Sequence, residues 1–192
     1  MGYAIAAAAA RLGHRVLLVS GPTSLEVPEN VDFLPVETAA EMFDAVRRHL
    51  PTSDVAIFAA AVADYRPAAP AANKIKKSAA TLTLELVRNP DILGAARSEF
   101  AFTGTLVGFA AETEDLEQNA RDKLARKGCD LVVANDVSRP DIGFDSDDNE
   151  VLLVFPDHSE ALPMMSKDHL AGHIIEAAIA LRSTPERHTT GS

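Results

Sequence analysis

The residues best suited to chemistry lie between positions 55 and 91. Asp64 and Tyr65 follow an uninterrupted apolar run, Val55 to Ala63. A Pro/Ala-rich stretch then carries a knot of cations, Lys74-Ile75-Lys76-Lys77, and Asn89-Pro90-Asp91 opens a helix. An acid at the carboxyl end of a strand can accept from a ligand hydroxyl or hold a metal, since open α/β sheets bind ligands at that edge. Lysines on an arm can close over phosphates, and free amides at a helix start suit anions. Together they describe a site for a negatively charged ligand. Each has a plainer reading beside it: Asp64 as a turn residue capping nearby amides, the lysines as solvated loop, Asn89 as a simple N-cap. Lys123 and Lys127, four apart near the end of a later helix, are adequately explained by complementing its dipole.

Other combinations fail on inspection. His169 and His173 have metal-ligand spacing, but Leu170 stands where a zinc-protease motif needs glutamate, so they read as surface residues. Residues 145–150 (DSDDNE) resemble a calcium loop in composition only. Tyr65 lacks a lysine four residues on, since position 69 is alanine, and neither G-x-G-x-x-G nor a P-loop is present.

The elements that must position these residues alternate. Gly2 to Leu12 reads as a helix stopped by Gly13, and Arg15 to Ser20 as a short buried strand. Val31 to Val36 reads as a strand, and Thr38 to Leu50 as a helix with Thr38 as N-cap and Glu41 completing a capping box. Val55 to Ala63 has the apolar continuity of a strand buried on both faces. Thr81 to Val87 alternates with period two, so the lysine arm returns as a hairpin. Next come a helix from Asn89 to Phe100, with Asn89 as N-cap and Pro90 at its first position, and a strand from Leu106 to Ala111. A helix from Glu114 to Lys127 is closed by Gly128, and Asp130 to Ala134 is a strand. This is βαβ spacing, the mark of an α/β fold with a mostly parallel sheet flanked by helices. In the last third, 138–150 is loop-like, Val151 to Phe155 and Ala161 to Met165 form a hairpin, and Ser166 caps a helix to Arg182. The polar stretch 183–192 reads as a disordered tail. A doubly wound domain opens with a strand and a glycine-rich turn; neither precedes Gly2, so the reading is one domain, 1–182, truncated at its N-terminus.

Composition narrows the function classes. With 47% apolar and 24% charged residues, the 192-residue chain is ordinary for a globular domain with a substantial core. A net charge of −10 argues against nonspecific binding to nucleic acid or to an anionic membrane. A single cysteine, Cys129, excludes an internal disulfide and fits a reducing, cytoplasmic setting; it reads as a buried thiol at a strand start. No apolar run reaches spanning length, and no export signal is visible.

The ordered set of short motifs is more specific than any one of them. Gly2-Tyr3-Ala4-Ile5-Ala6, Leu18-Val19-Ser20-Gly21-Pro22 and Ala60-Ala61-Val62-Ala63-Asp64-Tyr65 are followed by Lys74-Ile75-Lys76-Lys77 and Asn89-Pro90-Asp91-Ile92. Gly108-Phe109-Ala110-Ala111-Glu112-Thr113, Ala134-Asn135-Asp136-Val137 and Gly143-Phe144-Asp145-Ser146-Asp147 complete it. The chain resembles the phosphopantothenate-cysteine ligase family, in the bacterial form that makes up the C-terminal half of a bifunctional coenzyme A biosynthesis protein.

That resemblance implies a Rossmann-like, dimerising domain with a lysine-bearing flap and a C-terminal hairpin that helps form a homodimer. It implies ligation of 4′-phosphopantothenate to L-cysteine, with CTP and Mg²⁺, through an acyl-cytidylate. The products are 4′-phosphopantothenoylcysteine, CMP and pyrophosphate. It assigns nucleotide contacts to Ala60, Asp64, Lys74, Asn89, Pro90, Phe109, Lys123 and Lys127, with Lys74 also catalytic, and leaves the Mg²⁺ ligands unassigned. It also implies fusion to an FMN-dependent phosphopantothenoylcysteine decarboxylase. Segments that the family places just before Met1 are lacking, which implies impaired ligation. Two other readings fit parts of the chain: a nicotinamide-dependent reductase on the same sheet, and a non-catalytic nucleotide-binding dimerisation module.

Overall fold

The computed structural model describes residues 1–69, 81–137 and 148–183. Its centre is a five-stranded sheet in the order β3-β6-β7-β8-β9. Strands β3 (Val55–Phe58), β6 (Thr105–Glu112) and β7 (Leu131–Asp136) run parallel. The hairpin of β8 (Asp148–Val154) and β9 (Ser159–Ser166) extends the sheet antiparallel beyond β7. Strands β1 (Val16–Ser20) and β2 (Val31–Pro35) form a separate parallel pair, and β4 (Tyr65–Pro67) with β5 (Leu86–Arg88) a separate antiparallel one.

Residue alternation sorts the core into two layers. Val107, Leu131, Val133, Val151 and Leu153 face α1 (Gly2–Arg11) and α5 (Lys167–Ser183), with Ile5, Ala9, Leu170 and Ile174 packed against them. Leu106, Ala110, Val132, Ala134 and Val154 face the other way. There they meet α3 (Ile92–Ser98) and α4 (Leu116–Lys127), with Phe43 and Val46 of α2 (Ala39–His49) at the margin. The small residues Ala95, Ala96 and Ala120 let these helices approach the strands closely.

Local signals behave as the sequence implies at several ends. Thr38 Oγ1 accepts from the Glu41 N–H at 3.1 Å, and the Glu41 carboxylate accepts from the Thr38 N–H in return. Gly128 closes α4 in the left-handed region, φ 64°, where a side chain would be strained. Ser166 Oγ accepts from the His169 N–H at the start of α5, and His169 and His173 are exposed.

Five expectations need correction. The run Val55 to Ala63 is a strand only to Phe58, and those four residues are half-buried. Among the described residues β3 pairs with β6 alone, so there it forms an edge of the sheet, and the alanines after it are left outside the ladder. The strand expected over Arg15 to Ser20 is likewise not buried: among the described residues β1 pairs with β2 alone, and Leu17 is 40% exposed. Of the run from Thr81, the described pairing begins at Glu85 and the strand proper is Leu86–Arg88, while Leu82 and Leu84 lie exposed. Finally, the third helix begins at Ile92 and ends at Ser98, and its N-cap is Asp91, not Asn89. The loop expected at 138–150 gives way to β8 from Asp148; its earlier part and most of the expected tail lie outside the described residues.

Candidate functional site

The carboxyl ends of the parallel strands gather most of the residues singled out in the sequence. β3 delivers the exposed segment 60–64, which contains Ala60 and Asp64. Asn89 fastens it. The Asn89 backbone N–H donates to the Asp64 carbonyl at 2.8 Å, and its side-chain Nδ2 donates to the Ala63 carbonyl at 2.8 Å. The Asn89 amide is thus committed to the loop, which explains why capping passes to Asp91. The Arg66 guanidinium completes this knot, its Nη1 donating to the Arg88 carbonyl at 2.8 Å and to Asn89 Oδ1 at 3.0 Å.

Asp91 joins the Asn89-Pro90-Asp91 turn to α4. One carboxylate oxygen accepts from the Gly94 N–H at 2.9 Å and the other from Lys127 Nζ. Burial pushes the Asp91 carboxyl up, but the hydrogen bonds from Lys127 and Gly94 and the charges of Lys127 and Arg126 outweigh it, so it stays below the usual range. Only 18% of the Lys127 side chain is exposed, a burial an ammonium tolerates when paired. Lys127 therefore does more than complement the α4 dipole: it bridges two helices.

One turn earlier, Lys123 lines a cleft of about 320 Å³ with Glu112, Asn119, Asp122 and Arg126. Burial lowers the Lys123 pKa, the Glu112 carboxylate opposes that shift, and Lys127 adds to it. Such an ammonium gains from an arriving anion, which restores the preference for its charged form. Asn119 Nδ2 steadies Glu112 at 3.3 Å and also donates to the Glu114 carbonyl at 2.9 Å.

Phe109 lies on the opposite face of the sheet, partly buried at the margin of the layer covered by α1 and α5. The expected contacts thus divide: Asn89, Pro90, Lys123 and Lys127 on the α3/α4 side, Phe109 on the α1/α5 side, and Ala60 and Asp64 on the loop after β3. A ligand touching all of them crosses the sheet edge, the usual crevice of open α/β sheets. Lys74 lies outside the described residues. Among the described residues no group of three or more metal-ligating side chains occurs. Mg²⁺ bound to phosphates needs only one or two carboxylates, and Glu112 and Asp122 in the cleft fit that modest donor set.

Arg66, Glu112 and Asn119 carry roles that sequence reasoning did not assign. Arg66 directly follows the quoted Asp64-Tyr65 pair and Glu112 sits inside a quoted motif, so the signal was there. Their partners, 22 and 23 residues away for Arg66, were not readable from spacing.

Comparison with known proteins agrees with this architecture. The profile of the family described as "DNA/pantothenate metabolism flavoprotein C-terminal domain" matches residues 1–181. The chain is 47% identical over 193 residues to the coenzyme A biosynthesis bifunctional protein CoaBC of Bacillus subtilis, covering 97% of this chain and 47% of that one. It therefore spans less than half the length of that relative. Among solved structures, the crystal structure of the C-terminal domain of a CoaBC protein superposes with a TM-score of 0.77 at 37% identity, covering 95% of this chain and 83% of that one. A Cab2 mutant in complex with phosphopantothenate-cysteine shares the fold at a TM-score of 0.60 and 21% identity, covering 80% of this chain and 53% of that one. No described helix is long and apolar enough to cross a membrane. The chain belongs to the DNA/pantothenate metabolism flavoprotein C-terminal domain family.

Proposed function

We propose that this chain provides the nucleotide-binding and ligase domain of a coenzyme A biosynthesis enzyme. In this reading 4′-phosphopantothenate is joined to L-cysteine at the expense of CTP. The carboxylate oxygen attacks the α-phosphorus and pyrophosphate leaves; the cysteine amine then attacks the acyl carbon, CMP leaves and the amine gives up a proton. The observation that carries the reading is the half-buried pair of ammonium groups, Lys123 and Lys127, held on one side of the sheet edge beside the Asn89-Pro90-Asp91 turn. An acidic chain that concentrates buried positive charge there is prepared for a polyphosphate.

The residues have distinct tasks. Lys123 and Lys127 neutralise phosphate charge, and Lys127 exchanges its Asp91 partner for a phosphate oxygen. Asn89 holds the loop of Ala60 and Asp64 against the nucleoside, with Phe109 supplying an apolar surface. Lys74 stabilises charge at the reacting carboxylate. Mg²⁺ supplies Lewis-acid neutralisation of the leaving pyrophosphate when bound, with Glu112 and Asp122 as the cleft's carboxylates. The names of the relatives and of the phosphopantothenate-cysteine complex support the substrate class. A homodimer built on the β8–β9 hairpin, whose β9 edge is unpaired among the described residues, a fused FMN-dependent decarboxylase and a cytoplasmic setting complete the reading.

Calorimetric titration of CTP, ATP and GTP with Mg²⁺ into the chain and its Lys127→Ala and Asp64→Ala variants tests it. CTP-selective binding, weakened by both substitutions, is the expected result, and binding without base preference overturns the CTP assignment. Pyrophosphate release on adding 4′-phosphopantothenate and cysteine then tests ligation, with the chain preceded by the remainder of its parent protein.

A further inference from the structure

We infer that Arg66 is a positioning residue of the nucleotide site, acting through Asn89 on the loop that follows β3; the inference rests on the nucleotide-binding reading above. The loop leaves the sheet at Phe58, and residues 60–64 are exposed. Two hydrogen bonds described for it come from one residue, Asn89, through its backbone N–H to Asp64 and its Nδ2 to Ala63. The second bond requires the amide to present its nitrogen end to the Ala63 carbonyl. A carboxamide flipped by half a turn would set its oxygen against that carbonyl, oxygen against oxygen. What selects the orientation is a neighbour that can only donate. Arg66 is that neighbour: its Nη1 lies 3.0 Å from Asn89 Oδ1 while also donating to the Arg88 carbonyl at 2.8 Å. A guanidinium has no acceptor, so it pins the oxygen end of Asn89 and leaves the nitrogen end for the loop.

Arg66 is itself exposed, and the β4–β5 ladder has its own backbone pairing, extended by the Ala68 N–H to the Glu85 carbonyl at 2.9 Å. Removing the side chain thus leaves core and hairpin intact and frees one amide. The ammonium groups of the phosphate end, Lys123 and Lys127, belong to α4; Lys127 pairs with Asp91 and Lys123 lies in the field of the Glu112 carboxylate, and neither interaction uses the Arg66 side chain. Arg66 therefore governs the nucleoside end of the site and not the phosphate end.

The test is calorimetric binding of CTP and of inorganic tripolyphosphate, with Mg²⁺, to the wild-type chain, Arg66→Gln, Arg66→Lys, Asn89→Ala and the Arg66→Gln/Asn89→Ala double variant. Arg66→Gln is expected to raise the Kd for CTP about tenfold, the scale of one lost charge-assisted hydrogen bond. Tripolyphosphate affinity is expected to stay within about twofold, with an unchanged Tm, as for a surface substitution. Arg66→Lys keeps the charge but loses the fork, and should fall between. In the Asn89→Ala background, Arg66→Gln should add nothing, because its effect passes through that amide. Equal loss of CTP and tripolyphosphate, or no loss of CTP, overturns the inference, as does a wild-type chain that binds tripolyphosphate as tightly as CTP. If CTP, ATP and GTP bind equally but all more tightly than tripolyphosphate, the CTP assignment fails while the Arg66 comparison still decides its own case.

Discussion

Replacing Arg97 with methionine should cost about 3 kcal/mol of stability, because its guanidinium serves four acceptors at once. Nε donates to the Gly128 carbonyl at 3.1 Å; Nη1 donates to the Phe102 carbonyl at 2.5 Å and the Gly104 carbonyl at 2.9 Å. Nη2 donates to Asp130 Oδ2 at 2.6 Å, the same oxygen that accepts from the Leu106 N–H at 2.7 Å. The cation also lies 5.4 Å from the centre of the Phe102 ring. One side chain on α3 thereby ties together the turn before β6, the close of α4 and the start of β7. Hydrogen bonds to charged groups contribute about 1.5–3 kcal/mol each. With 27% of the Arg97 side chain exposed, water recovers part of what is lost, which supports taking about half of the low-end total. Methionine keeps the aliphatic stem in place, so the loss reports the polar end alone. For a chain of this length the Tm should fall by about 6–12 °C. Urea unfolding of wild type, Arg97→Met, Asp130→Ala and the double variant measures it. The two single losses should exceed the double loss when added, since they share one ion pair. A single-variant loss below about 1 kcal/mol would show that solvent replaces the hub, and the argument would fail.

Further outcomes follow from the same geometry. Lys127→Ala should raise the Kd for CTP about tenfold or more while leaving CMP nearly unchanged, because only the triphosphate reaches that ammonium; equal losses would refute the phosphate assignment. Gly128→Ala should destabilise by about 1–2 kcal/mol in urea unfolding, since φ 64° strains any side chain and the new Cβ would stand 3.1 Å from Arg97 Cγ. Burial, reinforced by Asp130, pushes the Cys129 thiol up from 9.0 to about 11. Between those values the unfolded chain has released a proton that the folded chain keeps, so stability from this site is present below pH 9 and lost as pH rises, by at most about 1.4 kcal/mol per unit. The stability advantage of wild type over Cys129→Ala should therefore narrow between pH 8 and pH 10.5, and a constant difference would show that the thiol is not so shielded.

The legible parts of the sequence were those set by neighbours along the chain. The capping box of Thr38 and Glu41, the closing Gly128 and the apolar runs of β6 and β7 each depend on residues within one turn or one strand. The hairpin of β8 and β9 was visible for the same reason. What misled was continuity without a second partner. Val55 to Ala63 reads as a doubly buried strand, but burial on two faces needs neighbours on both sides and helices above and below, and β3 has one neighbour among the described residues. Five alanines in that stretch also offer little surface to bury, so the apolar signal overstated the energy available.

The site shows the same division more sharply. Asn89 and Asp91 are both good N-caps, and local rules favour Asn89, which precedes a proline suited to the first helical position. The structure chooses Asp91, because the Asn89 amide is drawn away by Ala63 and by Arg66, 26 and 23 residues distant in the chain. Capping then falls to the next side chain able to accept from an amide, and that residue is an acid. An asparagine cap would have brought no charge to α3; the aspartate does, and its second oxygen binds Lys127, 36 residues further on. The cap two positions along thus does a second job, pairing a half-buried ammonium at the sheet edge. No periodicity or spacing in the chain encodes that step, because it is decided by competition between a local bond and distant ones for a single amide.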